Sequence, residues 1–354
     1  MIRFGIVGCG VIHGMHAEAV QKADGATIAG FFDVIPERSA GAAAKYGGAA
    51  FESLAAMFDT CDAVTVCVPS GLHAQIGIEA AKAGKHVIVE KPIDITFENA
   101  SRLVQACREN GVKFTTISQH RFANDIRRVR EAVQNGELGD AIQGDAYVKW
   151  YRTQAYYDSG DWRGTWALDG GGCLMNQGVH YVDMIQWIMG GVKAVRAITR
   201  TAAHKIEVED LACALIEYKS GAVGVIQGST SAYPGFSERI EVHGKCGSAL
   251  IEGDLIKAWH VDPNAPNDTS KYGRGVESQP TPNVATKDAS TGTTGASDPS
   301  AIWSNQHNMQ VAEFVRAVQE DRDPFITGEM ALEPLKVILA IYKSAKLNGE
   351  RVEV

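Results

Sequence analysis

The sequence lacks the marks of several protein classes. No stretch is long and apolar enough to span a bilayer as a helix. No Cys-x-x-Cys pair occurs: the seven cysteines, Cys9, Cys61, Cys67, Cys107, Cys173, Cys213 and Cys246, are odd in number and scattered. That distribution argues against a disulfide framework or a zinc knot and reads as reduced, mostly buried thiols. The ten histidines include His13 and His16 but no His-Glu-x-x-His or carboxylate-rich ligand set, so no metal site is expected. Basic residues are not in excess: 34 face 42 acidic ones, a net charge of −8, which disfavours nucleic acid or an anionic membrane as partner. A charged leader with a small-residue cleavage site is missing too, so the expected location is cytoplasmic. No internal repeat is present.

What remains is a chain of 354 residues, 45% hydrophobic and 21% charged, an ordinary composition for soluble domains and a length suited to two of them. Over the first 120 residues, strand candidates at 2–7, 27–33, 63–68, 86–90 and 113–118 alternate with helical patterns at 14–23, 36–46, 51–57, 73–83 and 96–110. Such alternation predicts a parallel sheet. After about residue 123 the rhythm changes. A helix at 124–135 is followed by a strand at 141–151, a helix at 173–189, and successive strands at 193–201, 209–218, 222–231, 237–243 and 248–252, with a hairpin turn at Tyr218-Lys219-Ser220-Gly221. Strands without intervening helices predict an antiparallel or mixed sheet. The division is therefore 1–122 and 123–354. Residues 261–300 carry no periodicity and read as a long irregular insertion, either a surface segment or an arm over a site or neighbouring subunit. Helices are expected at 303–321 and 329–347.

Four segments carry chemistry. The first strand runs into Gly8-x-Gly10-x-x-His13-Gly14, a turn in which Gly8, Gly10, Val11 and Ile12 can approach a pyrophosphate at a helix amino terminus. The third glycine of the usual pattern, which serves helix–strand packing, is replaced by His13. Asp33 ends the second strand, where an acidic residue can accept bonds from a ribose and repel a 2′-phosphate, favouring NAD over NADP. It also reads as a turn residue or cap before Pro36, and Arg38 lies near enough to join the cofactor and keep NADP open. Glu90-Lys91-Pro92 stands at a strand's carboxyl end, where ligands bind in open α/β sheets. The proline permits a cis bond that would aim Lys91 inward, and a lysine there can stabilise a developing alkoxide. Finally, in Gly170-Gly-Gly-Cys-Leu-Met-Asn-Gln-Gly-Val-His-Tyr-Val-Asp183, helical spacing puts Asn176, His180 and Asp183 on one face. His180 is a candidate general base, and Cys173 a candidate pocket-lining thiol.

Together these motifs resemble the glucose–fructose oxidoreductase / inositol dehydrogenase / rhizopine catabolism (Gfo/Idh/MocA) family. The resemblance spans the turn ending in His16, Val68-Pro69-Ser70-x-x-His73, Gly84-Lys85-His86-Val87 with Glu90-Lys91-Pro92, Gly171-Gly172 through His180 and Asp183, and a closing helix from Gly328 to Ser344. It implies a Rossmann domain followed by an α+β domain on a large, open-faced, mostly antiparallel sheet. The implied activity is NAD(P)-dependent oxidation or reduction of sugars, cyclitols or their derivatives. Association through the open sheet as a homodimer or homotetramer is implied as well. By position, Lys91 matches the family's active-site lysine and His180 its acid/base histidine. Many members carry aspartate where this chain has Asn176, which cannot take a proton or raise a histidine's pKa as a carboxylate would. Asp183 is the remaining carboxylate, available to orient His180 or cap backbone. The expected cofactor contacts are Gly8, Gly10, Val11, Ile12, Asp33 and Arg38, with Pro69, Ser70, His73, Glu90 and Lys91 toward the nicotinamide half. Substrate hydroxyls fall to Lys91, Arg152, Tyr156, Trp162, Arg163, Asn176 and His180. The resemblance also leaves open NAD-dependent glycoside cleavage by transient oxidation, and a non-catalytic nucleotide-binding regulator, which would need neither Lys91 nor His180.

Overall fold

The computed structural model describes residues 1–267 and 304–354. Its strands are β1 (Ile2–Val7), β2 (Ala26–Phe32), β3 (Ala49–Ala50), β4 (Ala63–Val66), β5 (His86–Val89), β6 (Phe114–Thr116), β7 (Ala141–Lys149), β8 (Val192–Arg200), β9 (Leu211–Tyr218), β10 (Val223–Ser229), β11 (Arg239–Gly244), β12 (Gly247–Glu252), β13 (Leu255–Val261) and β14 (Val352–Glu353). Its helices are α1 (His13–Lys22), α2 (Pro36–Tyr46), α3 (Leu54–Phe58), α4 (His73–Lys82), α5 (Phe97–Glu109), α6 (Asn124–Gln134), α7 (Gln154–Tyr157), α8 (Val179–Ile188), α9 (Ser304–Gln319) and α10 (Gly328–Lys346). No helix of the described residues is long and apolar enough to cross a membrane.

The described chain divides into two units. The first comprises residues 1–119, 162–171 and 304–335. It holds a six-stranded sheet in the order β3-β2-β1-β4-β5-β6, every pair parallel. Its central strands are apolar on both faces, as β4 (Ala-Val-Thr-Val, wholly buried) illustrates, because helices cover both sides. The order reverses at β1, with β2 on one side and β4 on the other, and in such sheets that reversal opens the ligand crevice at the strands' carboxyl ends. One covering helix comes from far along the chain. Val311, Phe314 and Val315 of α9 share a core with Ile2, Phe4, Ala19 and Val20, and the rings of Phe4 and Phe314 meet edge-on at 6.5 Å.

The second unit comprises residues 120–161, 172–267 and 336–354. Its eight-stranded sheet runs β13-β12-β11-β7-β10-β9-β8-β14. Only β7 and β10 pair in parallel; the other neighbours are antiparallel. Alternation along β9 shows one covered face and one open face: Ala212, Ala214, Ile216 and Tyr218 are buried, while Cys213 and Leu215 are exposed. α8 packs on β7 and against α6. The irregular insertion expected at 261–300 begins too early, since Val261 closes β13 and a short turn follows at Ala265–Asn267. Residues 268–300 lie outside the described residues.

Candidate active site

In the first unit, β1 delivers the glycine turn. Gly8 has φ of +90°, and a Cβ there would stand 2.7 Å from the Cys67 carbonyl oxygen, so the turn admits only glycine. At Gly10 the space beyond Cα is open within 4 Å. The N–H groups of Gly10, Val11 and Ile12 meet no acceptor among the described residues, and they precede the positive end of α1. Unused donors, an open approach and a helix amino terminus together fit a dinucleotide's pyrophosphate. His13, standing where the pattern usually has glycine, lays its ring edge-on to Phe31 and Tyr46, and its Nδ1 meets the Gly10 carbonyl. The close approach passes to Gly14, where a Cβ would sit 2.6 Å from the Tyr46 hydroxyl.

Asp33 stands at the end of β2 and braces this turn. Its Oδ2 accepts from the Cys9 N–H at 2.7 Å and its Oδ1 from the Ile35 N–H at 2.9 Å. Each oxygen keeps a second lone pair for a ribose hydroxyl. Both sequence readings of Asp33, ribose acceptor and turn residue, are thus compatible with one side chain. Arg38 is exposed on the first turn of α2.

Lys91 follows β5, and its peptide bond to Pro92 is cis. Beneath it lies a buried network. Glu90 accepts at Oε1 from His16 Nε2 (2.8 Å) and at Oε2 from the Lys91 N–H (3.1 Å). His16 Nδ1 pairs with the Thr65 hydroxyl at 2.7 Å, and His307 Nε2 stands 3.7 Å from Glu90 Oε1. Burial and then His307 push the His16 pKa down to about 4, so its ring is neutral. It donates to Glu90 and accepts from Thr65. Burial works against the Glu90 carboxylate, but the His16 bond and the nearness of His307 hold it well below the ordinary range. Sequence reasoning did not join these residues. Their ligand atoms lie within 4.8 Å of one another, a spacing that also suits a cation, although the 2.8 Å His16–Glu90 separation is that of a hydrogen bond. His73 is buried, with Nδ1 2.7 Å from the Pro92 carbonyl and Nε2 2.9 Å from the Val68 carbonyl. Burial lowers its pKa and the two carbonyl acceptors oppose that; a neutral ring donates to one of them at a time, and its two contacts join the loops after β4 and β5. Ser70 is buried beside it after Pro69. Trp162 and Arg163 also belong to this unit, the guanidinium 4.6 Å over the indole.

In the second unit, Cys173–Gly178 form a wide π-type turn that runs into α8. Such turns recur at functional sites. Glu209, 36 residues from Cys173 in sequence, fixes it. Its Oε2 accepts from the Gly172 N–H (2.8 Å), and its Oε1 from the Leu174 N–H (3.0 Å) and the Tyr342 hydroxyl (2.8 Å). A Cβ on Gly172 would fall 1.7 Å from the Glu209 carbonyl oxygen. Cys173 is buried with its thiol 3.7 Å from Glu209, and burial raises its pKa well above the ordinary value. Asn176 and His180 remain partly exposed. The expected polar stripe stops there: within α8, Asp183 is buried. Asp183 neither orients His180 nor caps backbone: it is buried and takes Arg121 with both oxygens, Nε at 2.8 Å and Nη2 at 2.5 Å. Tyr156 receives a bond from Gln177 at 3.0 Å, and the buried Arg152 guanidinium lies 5.0 Å from the Trp150 ring and 5.5 Å from that of Tyr156.

The structure therefore groups Gly8, Gly10, Val11, Ile12, Asp33, Arg38, Pro69, Ser70, His73, Glu90, Lys91, Trp162 and Arg163 in one unit, and Arg152, Tyr156, Asn176 and His180 in the other. Residues 2–118 match the oxidoreductase family with an NAD-binding Rossmann fold, and residues 126–250 match the GFO/IDH/MocA C-terminal domain. Over its full length the chain resembles the WlbA dehydrogenase of Bordetella pertussis, solved with NADH and UDP-GlcNAcA, at 32% identity, 97% of that chain covered and a TM-score of 0.85. Myo-inositol 2-dehydrogenase of Thermotoga maritima is 28% identical over 261 residues, covering 71% of this chain and 75% of the relative. A 2,7-anhydro-N-acetylneuraminate hydratase of Escherichia coli is 27% identical over 260 residues, covering 71% and 68%. With both halves matched and a dehydrogenase aligned from end to end, the chain belongs to the Gfo/Idh/MocA family of NAD-binding oxidoreductases.

Proposed function

We propose that the enzyme exchanges a hydride between a nicotinamide cofactor and a ring carbon of a sugar, cyclitol or sugar derivative, with NAD preferred. The observation that carries this reading is the braced strand end that bears Lys91: Glu90, itself bonded to His16, accepts from the Lys91 backbone N–H, and His73 meets the carbonyl of Pro92. When bound, the cofactor supplies the hydride acceptor or donor. The chain's own residues do the rest. The Gly10–Ile12 N–H groups hold the pyrophosphate and Asp33 the ribose. Arg38, Pro69, Ser70, His73 and Glu90 complete the cofactor side, Glu90 through its hold on Lys91. In the oxidation direction His180 takes the hydroxyl proton while Lys91 holds the oxygen and offsets its charge. Arg152, Tyr156, Trp162, Arg163 and Asn176 position further hydroxyls. Cofactor binding falls to residues 1–122, substrate binding and association to 123–354.

The relative named as a hydratase favours a second reading, a reaction with no net oxidation in which the cofactor is restored each turnover. One assay separates them. Purified enzyme with NAD or NADP is offered inositols, aldoses, anhydrosugars, glycosides and uronates, free and nucleotide-linked, and both NADH and carbohydrate product are followed. NADH rising in step with product supports the dehydrogenase. Product without NADH supports the alternative, and binding of NAD without any turnover favours the regulator.

A further inference from the structure

His180 does not stand alone in its unit. The ring of His120, which opens the segment leading to α6, lies 4.8 Å from the His180 ring, centroid to centroid, at an interplanar angle of 58°. His120 Nδ1 is 2.5 Å from Oδ2 of Asp254, and both side chains are buried. Asp254 sits in the turn between β12 and β13 with φ of +63°, a left-handed conformation that costs a non-glycine residue energy and is tolerated best by Asn and Asp. Its other oxygen, Oδ1, is buried and has no hydrogen-bond partner among the described residues. A carboxylate held in an unfavourable backbone region, desolvated and bonded through one oxygen to a single imidazole, is a costly arrangement for a mere turn.

We infer that His120 and Asp254 are positioning residues for His180: an ionised pair whose imidazolium, set against the His180 ring, keeps that ring neutral and able to accept a proton. The groups facing His120 are consistent with its carrying the charge. Burial opposes ionisation, but Asp254, followed by Glu238 and Asp183, outweighs it and raises the His120 pKa. Glu238 is fixed by the Trp150 Nε1–H at 3.1 Å, and Asp183 is already matched by Arg121. Tyr181, 5.7 Å from the His120 ring, is kept protonated by burial. The consequence bears on Asn176. Four residues before His180 stands an uncharged amide rather than a carboxylate, and an imidazolium is set on the neighbouring segment. Both act in one direction, toward a base that stays unprotonated at lower pH.

The catalytic meaning of this pair rests on the proposed role of His180, but its test does not. Full-length protein carrying ¹⁵N-histidine is titrated by NMR, and the His180 signal is identified by its loss in His180→Gln. Asp254→Asn keeps the side chain's size and its tolerance for the left-handed turn; His120→Gln removes the cation itself. Each should raise the His180 midpoint by about one pH unit, a tenfold gain in proton affinity. An unmoved or lowered midpoint in folded Asp254→Asn and His120→Gln overturns the inference, whatever happens to their melting temperatures, which a purely structural pair would also shift. Separately, His180→Ala is assayed on whichever polyol yields NADH. Full turnover there would remove His180 from the mechanism while leaving the titration result standing.

Discussion

Asp33 braces the glycine turn and, in the proposed reading, also takes the ribose, so substitution should reveal both. Asp33→Ala removes the brace on the Cys9 N–H as well as the ribose acceptor, so NADH affinity should fall about tenfold or more by fluorescence titration, and NADP affinity less, because the repulsion of a 2′-phosphate goes with it. A wild-type protein binding NADP as tightly as NAD would contradict the assignment. Lys91→Ala and His180→Ala should each lower turnover by roughly 10²–10⁴ with little change in NAD affinity, since neither is assigned to the pyrophosphate or adenosine. Comparable losses in NAD binding would move them out of the reacting centre. At this scale local spacing was enough to place Gly8 in its turn, Asp33 at the end of β2 and Lys91 after β5. The sequence was silent where partners are distant. Nothing near Glu90 points to His16 or His307, and nothing near His180 points to His120 or to Asp254, 134 residues from His120.

Among elements, the start of α8 depends on a residue outside it. Glu209 satisfies amide groups that the first turn leaves without partners, together with the Tyr342 hydroxyl. Glu209→Ala should cost about 2–4 kcal/mol in urea unfolding, because three buried donors lose an acceptor. Glu209→Gln should cost clearly less, since burial already raises the carboxyl's pKa and a neutral amide keeps one acceptor. Equal losses would mean that shape, not hydrogen bonding, holds the turn. The end of β5 sets an acid limit. The folded pKa of His16, about 4, lies below its unfolded value of 6.5. Between those values the unfolded chain binds the extra proton, so stability falls as pH drops through this window, by about 3 kcal/mol in all. Glu90, depressed well below its ordinary value, adds a loss that begins at lower pH. Urea midpoints measured from pH 7.5 to 4.5 should decline, and His16→Gln should flatten the decline; a flat wild-type profile would speak against a neutral buried His16. Most strands and helices were legible because their apolar period matches a regular element. The π-type turn was not, since no simple period encodes it. β13 was missed because Gly253 and Asp254 interrupt the strand pattern, and no element is expected at 253–260.

For the whole molecule, the open sheet face bears on association. Ile198 pairs with Cys213 across β8 and β9, Leu215 follows on the same face, and Val223 pairs with Glu217; Ile198, Leu215 and Val223 are each more than half exposed. Apolar positions grouped in this way are seldom left to water. Sedimentation at micromolar concentration should show a dimer or tetramer, and Ile198→Asp with Leu215→Lys should shift it toward monomer. A monomeric wild type would leave the face without this role.

The placement of α9 also governs the order in which the protein can be completed during synthesis. Phe4 emerges near the beginning and its ring partner Phe314 near the end, 310 residues later by their numbers. At roughly 5–20 residues per second the ribosome needs on the order of 15–60 s to bridge that interval. Throughout it, the helix that seals one flank of β1 and α1 does not yet exist. The unit whose sheet is made first therefore cannot close until β13 of the other unit has been made, and its nascent sheet must wait, with an apolar flank uncovered, for its closing helix to arrive.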